Sequence, residues 1–222
     1  MPGAIQVGAG GGVQMGANSG AWWQAAGVTP VAAYRAKGAA SLAASYINLA
    51  NPGVNDAAPG VAPTWAEATG WTFNATTQYL STGILLPADQ VGSLIVSYSG
   101  ASATNRTLVG ARGSDNKNVN ITLRQSNDDI VFEAAGLSAI RTPWLTAGVL
   151  ALAGRQAYRN GVADGVAISV ASSLNDVSLD IGRRNGASPA NFYAGNILAV
   201  AIFSSTLTAD QVAALTTAMQ AI

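Results

Sequence analysis

The run from Leu179 to Val212 constrains this chain more than any other. Leu179-Asp180-Ile181 alternates and leads into the polar Gly182-Arg183-Arg184-Asn185. Phe192-Tyr193-Ala194-Gly195-Asn196-Ile197 re-enters with two aromatics, Val200-Ala201-Ile202-Phe203 is continuously apolar, and Leu207-Thr208-Ala209-Asp210-Gln211-Val212 follows. That order predicts a strand, a polar loop, an aromatic re-entry, a buried strand and a closing helix. Thr208 is the N-cap and Gln211 the third helical residue of a capping box, with Leu207 and Val212 as the apolar pair that staples it. Val212, Leu215, Met219 and Ile222 then recur at helical spacing and make one apolar stripe.

Upstream, strand signals succeed one another from residue 65. Trp71-Thr72-Phe73-Asn74 precedes a polar turn and a strand over 78–84. Residues 93–99 have high β propensity. A short strand is predicted over 107–110. Val119-Asn120-Ile121-Thr122-Leu123-Arg124 alternates strictly, so one of its faces is wet. Asn127-Asp128 turns the chain back into Ile130-Val131-Phe132-Glu133, and Val149-Leu150-Ala151-Leu152 reads as buried. Asn160-Gly161, between two strand-like segments, is the signature of a type I′ hairpin.

The first 64 residues differ. Residues 1–30 are Gly-rich, with Gly8 to Gly12 and Gly16 to Gly20 around few bulky side chains, and then present Trp22-Trp23. Such a stretch loses much entropy on ordering and builds no core. Two tryptophans are costly to leave in water. The expectation is an assembly arm that docks Trp22 and Trp23 on another subunit; the alternative is that they fold back on their own sandwich. Residues 31–64 are expected to be a Pro-containing connector, with a helical turn or a first strand inside 39–49.

The Asn74, Tyr79-Leu80 segment, the Tyr158-Arg159-Asn160-Gly161 hairpin, the Ile181-Gly182-Arg183 strand and the final Leu207-Thr208 helix resemble a laminin-G-like, concanavalin-A-like jelly roll over about residues 65–218. The resemblance implies an all-β fold: an antiparallel jelly-roll β-sandwich over 65–222, with a Gly-rich N-terminal arm and a short C-terminal helix. That fold is used mostly for binding and assembly, and fold alone does not fix function. Proline-rich loops ahead of such a domain are similar to those of phage virion proteins.

Composition narrows the chemistry. Apolar residues make up 49% of the 222 and charged residues only 10%, well below the roughly 25% of ordinary domains. The surface is therefore either covered by neighbouring subunits or neutral and rich in Ser, Thr and Asn. Eleven basic and eleven acidic residues cancel, and without a basic tract nucleic acid is not an expected partner. No Cys and no His are present, which removes disulfides, thiolate nucleophiles, His bases and the usual zinc ligands. No stretch reaches the roughly 18 apolar residues that span a bilayer, so membrane insertion is not expected. The N-terminus lacks a signal-peptide pattern.

Glycosidases of this sandwich class need two carboxylates on one strand face. Glu67 and Glu133 stand far apart, so no catalytic residue, no cofactor and no enzyme activity are expected. Calcium ligands could come from Asp115-Asn116-Asn118 or Asn127-Asp128-Asp129, but turn chemistry explains both clusters and no metal is expected. A glycan site could use Arg183, Arg184, Asn185, Asn191 and Tyr193 around one loop, with Trp144 and Tyr158 as further aromatic faces. The expected role is a structural virion surface protein, a capsid decoration or tail component. It would be homo-oligomeric with other structural subunits, on the virion or outside the cell. The alternatives are a carbohydrate-binding module for cell-surface polysaccharide and an extracellular filament or surface-layer subunit.

Overall fold

The computed structural model describes residues 21–86, 92–102, 105–114, 118–134, 137–169 and 177–222. Its strands, in chain order, are β1 (Ala32–Arg35), β2 (Ala58–Val61), β3 (Thr64–Ala66), β4 (Gly70–Asn74), β5 (Tyr79–Ser81), β6 (Ser93–Ser99), β7 (Arg106–Arg112) and β8 (Asn118–Arg124). There follow β9 (Asp129–Ala134), β10 (Leu137–Arg141), β11 (Gly148–Ala153), β12 (Gln156–Arg159), β13 (Val162–Ala163), β14 (Asp180–Ile181), β15 (Arg184–Gly186) and β16 (Ala194–Phe203). Among the described residues helices are few: 3-10 turns at Trp22–Gln24 and Gln125–Asn127, the single turn α1 (Leu42–Ser45) and the closing helix α2 (Ala209–Gln220).

The strands form two sheets. Sheet A runs β13-β12-β11-β6-β16-β4-β3, with β1 also paired to β16. Sheet B runs β10-β9-β8-β7-β14-β5-β2, with β15 lying parallel beside β7. Alternation aims every second side chain between the sheets. Trp71, Leu94, Val96 and Tyr98 from sheet A meet Leu80, Leu108, Ile121, Leu123 and Phe132 from sheet B in one buried core. The chain is thus an all-β sandwich with a short C-terminal helix.

The outer face of sheet A is apolar too. Ala33, Ile95, Val149, Ala151, Tyr158, Ala201 and Phe203 form a second buried cluster with Val212, Leu215 and Met219 of α2. The helix is held where the sequence expects it. Thr208 Oγ1 accepts from Gln211 N, and Gln211 Oε1 accepts from Thr208 N at 2.9 Å. Asn160 and Gly161 have φ of 49° and 82°, as a type I′ turn requires.

Two expectations about the N-terminal third meet a different arrangement. Trp22 is 5% exposed and belongs to the cluster under α2, with Trp23 edge-on to it at 6.0 Å between centroids. Its own sandwich therefore already buries the Trp22 side chain that the arm was expected to dock on a neighbour. Residues 1–20 of that arm lie outside the described residues. The stretch 31–64 is more than a connector, because β1 pairs with β16 and β2 pairs with β5. Within it Asn48 ties the chain down with all its bonding positions. Its Oδ1 accepts from Ala33 N and Ala50 N, and its Nδ2 donates to Val31 O and Val54 O.

Candidate functional site

The outer face of sheet B is chemically unlike that of sheet A. Both apolar clusters lie elsewhere: one between the sheets and one under α2. Strand register draws a single row straight across this face. Ser138 pairs with Glu133, Glu133 with Asn120, Asn120 with Gly110, Gly110 with Asp180, and Asp180 with Ser81. Arg184 of β15 also stands opposite Gly110, and Arg112 stands opposite both Asn118 and Gly186. Directly paired residues share a face, so the row and its flanks gather two arginines, two carboxylates and several amides and hydroxyls.

These groups are ordered by one another. Asn120 is buried; its Nδ2 donates to Glu133 Oε2 and its Oδ1 accepts from Thr122 Oγ1 at 2.9 Å. Thr122 in turn shares a 2.8 Å bond with Thr107. Gly110 is required here, because a Cβ on it would stand 2.4 Å from that of Asn120. Asp180 is 1% exposed, and its Oδ2 accepts from Arg183 Nε at 2.7 Å. Burial pushes the Asp180 carboxyl above the usual carboxylate value, and the Arg183 guanidinium opposes that shift. The same guanidinium lies 3.2 Å above the centre of the Tyr79 ring, and that ring rests on Gly60, where a Cβ would collide with it. Burial, and then the Arg112 cation, hold Arg184 below its ordinary value.

The residues expected around one glycan loop are therefore split. Arg183 and Arg184 lie on the polar face. Asn185 sits beside it, half-buried, with Nδ2 donating to Ser178 O at 2.9 Å. Asn191 occupies a left-handed turn, and its carbonyl accepts from Thr107 N. Tyr193 is fully buried between the sheets, and Tyr158 lies under α2; neither ring offers a face to a ligand. Trp144 is half-buried in the loop after β10, its backbone N–H donating to Asp128 Oδ1 at 3.3 Å. Of the calcium candidates, Asp129 is held by two 2.7 Å bonds from Arg124, and Asp128 takes the left-handed φ of 53° of its turn. Asp115 and Asn116 lie outside the described residues, and Asn118 is buried on the polar face. Sequence reasoning missed Asn120, Asp180, Arg112 and Tyr79. The strict alternation of β8 signals Asn120, but nothing in the sequence reveals which distant strands lie beside it.

No family model matches the chain, and no curated protein matches it in sequence. Solved structures do match. A mutant of Trypanosoma rangeli sialidase displaying trans-sialidase activity is 15% identical, with a TM-score of 0.58 over 86% of this chain and 33% of that one. Trypanosoma rangeli sialidase in complex with sialic acid is 13% identical, with a TM-score of 0.58 over 85% and 32%. The K499G mutant of NanB sialidase from Streptococcus pneumoniae is 13% identical, with a TM-score of 0.50 over 66% and 27%. At such identities the likeness is one of fold, and the chain spans about a third of the sialidases' length. These neighbours correct one expectation. The exclusion of enzymes does not stand, because these three neighbours are sialidases, which are enzymes. They lend no support to a virion origin.

Proposed function

We propose that this chain is a carbohydrate-binding β-sandwich module, with its glycan site on the outer face of sheet B. One observation carries the reading: one outer face of the sandwich is sealed by α2 and Trp22, while the opposite face carries a register-aligned polar row in which the exposed Ser138 and the half-buried Glu133, Arg184 and Ser81 surround the buried Asn120 and Asp180. Sugars are recognised by such convergent planar donors and acceptors. The hydrogen-bonded lattice of Asn120, Thr122, Thr107 and Glu133 fixes them before a ligand arrives, which lowers the ordering cost of binding. The fold shared with sialidases supports a setting among carbohydrate-active proteins, where the module would hold polysaccharide outside the cell or on another surface.

A glycan array of neutral and charged oligosaccharides, probed with the full chain and with Arg184→Ala, Glu133→Ala and Trp144→Ala variants, tests the proposal. Binding that survives Trp144→Ala but falls about tenfold or more in the two sheet B variants is expected, from loss of charge-assisted bonds. Binding that depends on Trp144 alone would move the site to the loop after β10. A chain that retains no glycan at all would contradict the reading.

A further inference from the structure

The tripeptide Arg-Asn-Gly occurs twice in this chain, at Arg159-Asn160-Gly161 and at Arg184-Asn185-Gly186. Glycine has no Cβ to shield its backbone nitrogen, so that nitrogen can attack the carboxamide of the preceding asparagine and close a five-membered imide. Sequence gives the two sites the same local chemistry, and the fold separates them. We infer that Asn185 is a site of spontaneous covalent modification, converted through a succinimide with Gly186 into aspartate and isoaspartate, while the fold withholds Asn160 from the same reaction. This chemistry needs no ligand on the polar face.

At Asn160 the reacting groups are tied elsewhere. Asn160 and Gly161 hold left-handed φ of 49° and 82° in their turn. Asn160 N donates to Val149 O at 2.8 Å, and Asn160 Oδ1 accepts from Val149 N at 2.9 Å, so backbone and carboxamide are both bonded across the hairpin. Gly161 is pressed against α2, where a Cβ on it would stand 3.2 Å from that of Thr216. Ring closure here would have to break the carboxamide bond and turn a backbone packed under a helix.

At Asn185 the reacting groups already meet. Gly186 N donates to Asn185 Oδ1 at 2.9 Å. The carbon bonded to that oxygen therefore lies at about the 3–3.5 Å from which oriented reactions start. The other end of the carboxamide, Nδ2, donates to Ser178 O at 2.9 Å, so the group is presented in one orientation. Asn185 and Gly186 open a loop closed by two bonds between Arg184 and Ala190, at 3.0 and 3.2 Å. Ala187, Ser188 and Pro189 of that loop are exposed, and β15 is only three residues long. Backbone rotation there disturbs one short strand.

The reaction balances with water as its only co-reactant. Gly186 N gives its proton to solvent and bonds to the side-chain carbon; the bond from that carbon to Nδ2 breaks, and ammonia leaves with a proton from solvent. Water then opens the imide at either carbonyl, giving aspartate or, with the chain rerouted through the side chain, isoaspartate. Either product carries a carboxylate, which takes the formal net charge from zero to one negative, and neither keeps the donor to Ser178 O. Isoaspartate also inserts a carbon into the strand opposite Ala111, so the pairing of β15 with β7 is lost beyond that point.

The experiment ages the full chain at mildly alkaline pH, native in one sample and unfolded in urea in another. Near-ultraviolet circular dichroism checks that the native sample stays folded. Aliquots are digested with pepsin at acid pH, where imide formation is slow, and each asparagine is followed by mass, with fragmentation to tell isoaspartate from aspartate. In urea the two Arg-Asn-Gly sites should convert at similar rates, and the native ratio is read against that unfolded ratio. In the native chain Asn185 should convert about tenfold or more faster than Asn160, with isoaspartate among its products. Asn160 keeping pace with Asn185 in the folded chain would overturn the inference. So would a native Asn185 that stays intact while the unfolded chain converts.

Discussion

At the scale of the residue, the polar atoms of this chain divide into those serving the fold and those facing outward. Tyr34, Tyr98 and Tyr193 serve the fold. Their rings are buried in the core, and their hydroxyls donate to the carbonyls of Asn55, Leu145 and Ser99. Burial is the main reason that each holds its proton well above the usual value of 10.0. The sign of the consequence follows directly. Above about pH 10 the unfolded chain has released these protons while the native chain keeps them, so unfolding becomes easier as pH rises. In an alkaline titration followed at 295 nm, these three of the six tyrosines should ionise only together with cooperative loss of near-ultraviolet signal. Reversible ionisation of all six near pH 10 in an intact fold would contradict their placement. Arg183, by contrast, binds Asp180 and covers Tyr79, which holds the Asp180 end of the outer row in place.

At the scale of the element, α2 and the Trp22 segment together cover the outer face of sheet A. Gln211 completes the capping box and also donates from Nε2 to Ala26 O at 3.2 Å, so the start of the helix holds the segment that carries Trp22. Thr208→Ala removes the side-chain cap and should cost about 1 kcal/mol, read as a lower denaturation midpoint with an unchanged slope; an unaltered midpoint would show that the cap contributes nothing. This helix, the Asn160-Gly161 hairpin and the longer strands of both sheets were legible in the sequence, because period, turn chemistry and capping are local signals. Strand β1 was not. Ala32 and Tyr34 enter the core while Ala33 lies under α2, so the strand is buried on both faces and shows no alternation. Nor were β2, where Pro59 and Gly60 read as breakers, or β10, whose Leu137 and Ile140 remain exposed. The candidate site was half legible. Arg183 and Arg184 stood out in a polar stretch, but an aromatic residue looks the same whether it faces a ligand or the core, and Tyr158 and Tyr193 face the interior. Asn120, Gly110 and Asp180 meet only through register between strands far apart in sequence.

At the scale of the whole molecule, the sandwich has one closed and one chemically equipped side. Low charge fits this plan. Sheet A spends its outer surface on α2 and Trp22, and most of the charged side chains that sheet B keeps are bonded into its face. The architecture is shared with stretches of sialidases, and fold alone does not decide function. The most direct test is amide chemical-shift mapping of the isotopically labelled full chain, titrated with the oligosaccharide that the array selects. The account predicts saturable shifts concentrated in β7, β8, β14 and β15, with α2 and the 142–147 loop unmoved. Shifts confined to that loop or to the α2 side, with the sheet B row silent, would contradict it.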